Sequence, residues 1–273
     1  MLRAIAGAAV ATLAVNACDL ELRRGPLESS WLIDEVNADT DPCLQAENCL
    51  AGPGTRTVLR FDSHVFNIGD TDCRVGWTPQ CPPSGVGVPD QPPFVFDTCH
   101  RHWHLTGFSE YALIDSSGTV VREGYKNGLC LMDVICGRQR YTCQDQGLSS
   151  GCGDIYDHKL NCQWIDITGL DLDQTYTFRW TANEERVISE TDYTNNVVEV
   201  QVHPASVRRG HVYGAVAPNQ CPLEGGEAQS VFMTTGSLTP GEPVNYEAYE
   251  TPRERRRRER RQRRERRRNR FSD

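Results

Sequence analysis

From residue 57 to residue 202 the chain is a series of short apolar and polar runs, and long amphipathic helical patterns are missing. Thr57–Phe61, Tyr111–Ile114, Thr119–Val121, Gln163–Ile167, Thr175–Trp180 and Asn196–Val202 are rich in β-branched and aromatic residues. Several of them alternate apolar and polar side chains with period two, as half-buried strands do. Pro93-Phe94-Val95-Phe96 and the run starting at Phe108 add strand-like sequence on both sides of residue 100. Turn residues separate the runs, and residues 82–93 form a Pro-rich loop. The pattern predicts an all-β protein, a β-sandwich with long loops and few short helices.

The flanks read differently. After Arg3, the apolar, Ala-rich stretch Ala4–Ala17 is too short to span a membrane and has the length of a secretory signal. Val15-Asn16-Ala17 precedes Cys18 and resembles a bacterial lipoprotein box, although Asn16 fits it poorly. A lipid anchor at Cys18 and simple secretion both stay open. The expected organisation is a signal over 1–17, a polar lead-in over 18–42, the main domain over 43–221, a loose extension over 222–252 and an Arg-rich tail over 253–273.

Cysteine and charge sharpen this. Most of the 12 Cys lie between Cys43 and Cys162, spread out rather than grouped in metal knuckles. That spacing points to a disulfide-stapled fold in an oxidising compartment, secreted or in the cell envelope. The net charge of −8 conceals −17 up to Pro252 and +9 from Arg253 onward. The tail Arg253–Arg270 is broken only by Glu254, Glu259, Glu265, Gln262 and Asn269. It is expected to be disordered or partly helical and suited to contact with an anionic surface. No aromatic residue interleaves it, so specific nucleic-acid readout is not expected. Lysine is nearly absent: only Lys126 and Lys159 occur.

The chemistry concentrates at Cys99-His100-Arg101-His102-Trp103-His104. On a strand, His100, His102 and His104 point to one face. Three converging imidazoles suit Cu(II) or Zn(II).

Further strings follow in order: Glu123-Gly124-Tyr125-Lys126-Asn127-Gly128-Leu129-Cys130-Leu131, Gln146–Tyr156, Cys162–Thr168 and Glu190–Val198. Together with the histidine run they resemble the catalytic domain of the lysyl oxidase family, over roughly Cys43 to Cys221. The resemblance implies copper on His100, His102 and His104. It also implies a built-in cofactor, lysine tyrosylquinone, made by copper and O2 from Tyr156 and Lys126. Asp154 falls in the family's Cys-x-Asp-x-Tyr pattern and is expected to be the catalytic base, since a shielded carboxylate approaches a working pKa near neutrality. Glu190, Asp192, Asn195 and Asn196 are oxygen donors on one loop, suited to a hard cation. They match the family's calcium site, with Asp19 and Leu20 resembling its N-terminal contribution.

By the same family pattern Cys130 pairs with Cys143, Cys136 with Cys152, Cys43 with Cys99 and Cys49 with Cys162. Cys73 and Cys81 then remain for a local bridge, and Cys18 and Cys221 are left over, Cys221 as a free thiol. Two places where animal members carry His hold Asp97 and Glu110 here, and the interval from His104 to Phe108 is one residue short. The resemblance implies a bacterial-type copper amine oxidase of the protein-lysine 6-oxidase kind. It would convert primary amines, peptidyl-lysine foremost, to aldehydes with release of hydrogen peroxide and ammonia. The competing expectation is a non-catalytic copper-binding cell-surface protein, which would need neither Lys126 nor Tyr156.

Overall fold

The computed structural model describes residues 18–41, 43–82, 91–98, 101–124, 130–212 and 221. Its strands are β1 (Leu20–Leu22), β2 (Leu32–Asn37), β3 (Thr55–Arg60), β4 (Ser63–Asn67), β5 (Cys73–Trp77), β6 (Phe94–Asp97) and β7 (His102–Leu105). They continue with β8 (Ser109–Ile114), β9 (Val120–Gly124), β10 (Asp145–Leu148), β11 (Gly153–Tyr156), β12 (Trp164–Asp166), β13 (Tyr176–Ala182) and β14 (Val197–Val202). Two short helices, α1 (Arg24–Ser30) and α2 (Cys43–Ala46), lie near the N-terminus. The strands form sheets in the orders β14-β13-β8-β9, β12-β3-β2 and β1-β4-β11, with two ribbons, β10-β5 and β6-β7. The all-β, disulfide-stapled class expected from the sequence is what the chain forms.

β13 shows why the runs become strands. Tyr176, Phe178, Trp180 and Ala182 are buried while the residues between them are half-buried or exposed. On the outer face Arg179 sits directly opposite Glu199 of β14, and the two pair at 2.7 Å. Such an exposed pair contributes at most about 1 kcal/mol; the buried face does more. There, Phe178 and Tyr111 each meet Phe61 edge-on at 4.7 Å between ring centroids, and Trp31 meets Phe178 at 5.0 Å. Phe61 lies between β3 and β4, so this aromatic contact joins the four-stranded sheet to the rest. Beneath it Arg60, 1% exposed, donates to Asp34 at 2.8 Å and lies over the Trp164 ring at 4.4 Å. A charge this deep is tolerated because it is paired and hydrogen-bonded.

Residues 18–41 are structural rather than a mere lead-in. β1 and β2 each join a sheet, and Leu20 and Leu27 are fully buried. With three residues, β1 is too short for its alternation, buried Leu20 and Leu22 around a half-buried Glu21, to be read from the sequence.

Three disulfides form as the resemblance implied: Cys49–Cys162, Cys130–Cys143 and Cys136–Cys152. Cys43 is also disulfide-bonded, while Cys99 lies outside the described residues. The remaining expectations are corrected. Cys73 does not bridge to Cys81. It is fully buried on β5 and bonds Cys18, which lies next to β1. Cys81 lies beyond the end of β5 and bonds Cys221. Cys221 is therefore not a free thiol, and the sulfur of Cys18 is not available to carry a lipid. Closeness in sequence misled here, because a strand carries its two ends apart at about 3.3 Å per residue.

Peptide mapping without reduction is expected to recover Cys18–Cys73 and Cys81–Cys221 peptides and no Cys73–Cys81 peptide. Cys18→Ser is expected to cost about 2–4 kcal/mol in denaturant unfolding, through the loop that the bond closes.

Candidate active site

Two clusters carry the chemistry. The first sits on the β6–β7 ribbon, where Asp97 lies opposite His102, Val95 opposite His104 and Phe96 opposite Trp103. Alternation along the ribbon sends Trp103 and Leu105 into the core, 1% and 2% exposed, and Phe96 packs on Trp103 at 5.1 Å. The same alternation puts His102, His104 and Asp97 together on the other face. The Nε2 atoms of His102 and His104 face each other at 2.5 Å, and Asp97 Oδ2 stands 3.6 Å from His104 Nε2. These three side chains bring one ligand atom each within 4.8 Å of the others. Converging imidazoles beside a carboxylate form a donor set that fits copper. His100 lies outside the described residues.

The turn that feeds β7 is held from a distance. Arg101 adopts a left-handed backbone, φ 51°, uncommon for a side chain without local hydrogen-bonding ability. Its carbonyl accepts from Cys221 N at 2.9 Å, and its Nε donates to Cys221 O at 2.7 Å. Arg101 also donates to Pro82 O at 3.4 Å. The Cys81–Cys221 bond thus anchors the approach to the histidines. Nothing in the spacing of Arg101 or Cys221 signalled this role.

The second cluster lies on β11, which pairs with β4: Asp154 opposite Val65 and Tyr156 opposite Ser63. Two apart on a strand, Asp154 and Tyr156 share a face, and the Tyr156 hydroxyl donates to Asp154 Oδ2 at 2.6 Å. Both residues are 1% exposed. Asp154 also accepts from Met132 N at 3.0 Å and Ile155 N at 2.8 Å. The Tyr156 hydroxyl is also within donating distance of Cys130 O, 3.2 Å, four residues beyond Lys126. Lys126 itself is outside the described residues.

Burial pushes the Asp154 carboxyl up to about 7, against the hydrogen bonds from Tyr156, Met132 and Ile155 that pull it down. The nearby charge of Asp133 raises it further. Burial, then the Asp154 charge, raise the Tyr156 phenol well above its ordinary range. A carboxylic acid poised near neutrality, touching a phenol in a dry site, can hold a proton or take one.

Local sterics and a buried carboxylate build this cluster. Gly153 passes so close to Phe66 that an added Cβ would lie 2.6 Å from its ring. Asp133, unnoticed in the sequence, orders the loop between the two strings. Its carboxylate accepts from Arg140 N, Tyr141 N, Ser149 N and Ser149 Oγ at 2.8–3.2 Å. Its spacing to residues 140, 141 and 149 carries no motif. Glu110, by contrast, faces outward on β8; partial burial, then Glu184, raise its carboxyl.

The oxygen donors near the N-terminus also converge. Glu190 accepts from Leu20 N at 2.6 Å, Asn196 Nδ2 at 2.7 Å and Asn183 Nδ2 at 2.5 Å, while Asn195 Nδ2 donates to Asp19 at 2.9 Å. The Oδ1 atoms of Asn195 and Asn196 are buried with no partner. Burial raises the Glu190 carboxyl. Unpartnered amide oxygens between two carboxylates fit a hard cation. The Asp192 side chain instead closes its own turn, accepting from Thr194 N and Oγ1 at 2.8 and 2.7 Å.

Comparison with known proteins bears on this arrangement. The family profile described as "Lysyl oxidase" matches residues 19–209. Lysyl oxidase homolog 2 of Gallus gallus is 34% identical over 199 residues, lysyl oxidase homolog 2B of Danio rerio 33% over 198, and lysyl oxidase homolog 2 of Homo sapiens 32% over 199. Each alignment covers 67% of this chain and 24% of the relative. The chain thus spans about a quarter of the length of the curated relatives it matches. The matched span takes in β1, the β6–β7 ribbon and the β11 pair alike, and on that breadth the chain belongs to the lysyl oxidase family.

Proposed function

We propose that this protein is a copper amine oxidase of the protein-lysine 6-oxidase kind, taking primary amines, peptidyl-lysine foremost, and O2 to aldehyde, hydrogen peroxide and ammonia. The observation that carries the reading is the buried Asp154–Tyr156 pair at 2.6 Å. Its supports are the converging donors His102 and His104 and the family itself. His100, His102 and His104 would hold copper. Lysine tyrosylquinone, formed from Lys126 and Tyr156, supplies an electrophile for the amine and a sink for its electrons.

The chain's own residues supply the rest. Asp154 is the base that takes the substrate's α-proton at its carboxylate. Its contact with Tyr156 places it beside the ring to be modified, and Met132 N and Ile155 N fix its orientation. Burial keeps water from the proton and brings the carboxyl to about 7, where both protonation states are accessible at physiological pH. Glu190, Asp19, Asn195, Asn196 and Leu20, with Asp192 nearby, would hold calcium and so tie the strand after Cys18 to the loop before β14. The five described disulfides favour an oxidising compartment and hence secretion or the cell envelope. The main domain is assigned to 43–221, continuous with the structural segment 18–41. The tail 253–273 is assigned to anionic-surface contact.

Mass spectrometry of the copper-loaded, oxygen-exposed chain is expected to show a Lys126–Tyr156 cross-link, and phenylhydrazine should quench the quinone absorbance. Copper uptake without that cross-link would leave a copper-binding surface protein instead. Asp154→Asn is expected to keep copper and the cross-link but lower kcat at least about a hundredfold; unchanged turnover would remove Asp154 as the base. In the parent enzyme, kcat should climb with pH through about 7 as the carboxylate form appears.

Stability should run the other way. A folded-state pKa raised above the unfolded value of about 3.9 favours the folded state fully at low pH, and that contribution is lost as pH rises through about 7. Urea titrations of copper-free protein between pH 4 and 8 should therefore show a decline that Asp154→Asn flattens. For the cation site, calcium should raise the Tm of the parent chain over that in chelator, and Glu190→Gln should shrink the rise by at least half.

A further inference from the structure

We propose that Asp97 is a donor to the metal held by His102 and His104, so that this chain binds copper through a mixed imidazole and carboxylate set. The inference rests on the copper reading above only for the identity of the ion. Three features of the ribbon carry it: register, the atom addressed, and spacing.

Asp97 lies directly opposite His102 across β6 and β7, and so on the histidine face of the ribbon. The Asp97 and His104 side chains are largely enclosed, 8% and 12% exposed, and His102 is buried. A carboxylate in such a place is held there by specific partners.

The nitrogen addressed separates a donor from an orienting residue. A carboxylate that merely orients a ligating imidazole binds the ring nitrogen turned away from the ion. Here Asp97 Oδ2 faces His104 Nε2, the same nitrogen that faces His102 Nε2. The carboxylate oxygen therefore shares the point on which both ring nitrogens converge. At 3.6 Å it stands beyond an ordinary hydrogen bond from that nitrogen. Two donors bound to one ion at about 2.0–2.2 Å each lie roughly 3–3.6 Å apart, a spacing that the Asp97–His104 pair meets, while the two ring nitrogens, 2.5 Å apart, must open slightly to seat an ion. Asp97 gives a charged donor, harder than an imidazole nitrogen, which favours the oxidised ion over Cu(I).

The test uses the full chain loaded with Cu(II) alone, comparing the parent protein, Asp97→Asn and Asp97→His by EPR and by competition with a chelator. Near-UV circular dichroism checks that each variant is folded. Asp97→Asn should shift g∥ and A∥ and weaken Cu(II) binding at least about tenfold. Asp97→His should recover affinity and add nitrogen superhyperfine coupling. Superimposable spectra and equal affinities for the parent and Asp97→Asn overturn the assignment. So does a folded, copper-bearing Asp97→His without added nitrogen coupling. Phenylhydrazine on the same samples separates the two readings. An Asp97-dependent spectrum with no adduct retains the donor and removes the amine oxidase. An adduct with spectra indifferent to Asp97 does the reverse.

Discussion

Everything around Tyr156 depends on one strand pairing, β11 on β4. β4 is buried along its whole length and bonds β1 on one side and β11 on the other. Its first residue, Ser63, meets the Tyr111 hydroxyl at 2.9 Å, and Gln163 donates to Ser63 at 3.0 Å. The aromatic core thus reaches β11 through β4, and a one-residue slip of that pairing would turn both Asp154 and Tyr156 away from their shared face. The register is pinned where Gly153 passes Phe66, since no side chain fits between them.

Away from the sheets, long loops are ordered by covalent and polar bonds as well as by apolar burial. Two disulfides and the buried carboxylate of Asp133 organise the stretch from Cys130 to Cys152. Asp133 satisfies backbone N–H groups that a loop would otherwise bury unpaired, a stabilisation of about 1 kcal/mol or more for each such bond to a charged group. Met132 N then falls on Asp154. Loop order and carboxylate chemistry are therefore joined by one residue step, from Asp133 to Met132.

Much of this was legible in the chain. β8, β13 and β14 fall on alternating runs, because each covers the core with one face, while β9 and β12 fall on runs marked by their β-branched and aromatic residues. β4 was not legible, since a strand covered on both faces has no alternation to read. The upward shift of Asp154 follows from placing a carboxyl beside apolar and aromatic residues, and the i, i+2 spacing to Tyr156 foretells their contact once β11 is a strand. The Arg101 clamp and Asp133 could not be read, because each works through backbone atoms of residues remote in sequence, whose identities leave no pattern. The cysteines show both cases. The three family-pattern pairs that lie within the described residues formed, whereas assigning the leftovers by proximity failed at Cys18, Cys73, Cys81 and Cys221.

That last correction has a topological consequence. Cys73 and Cys81, eight residues apart, bond the first described residue, Cys18, and the last, Cys221. Both ends of the fold are thereby moored to one short stretch of chain. A protease that cuts between 212 and 221 separates no fragment: the downstream piece stays covalently attached at Cys81, and Cys221 keeps its hold on Arg101. Trimming of the basic tail, or nicking just ahead of Cys221, is thus insulated from the histidine ribbon. In a setting rich in proteases, the paired histidines can outlast the integrity of the polypeptide that follows them.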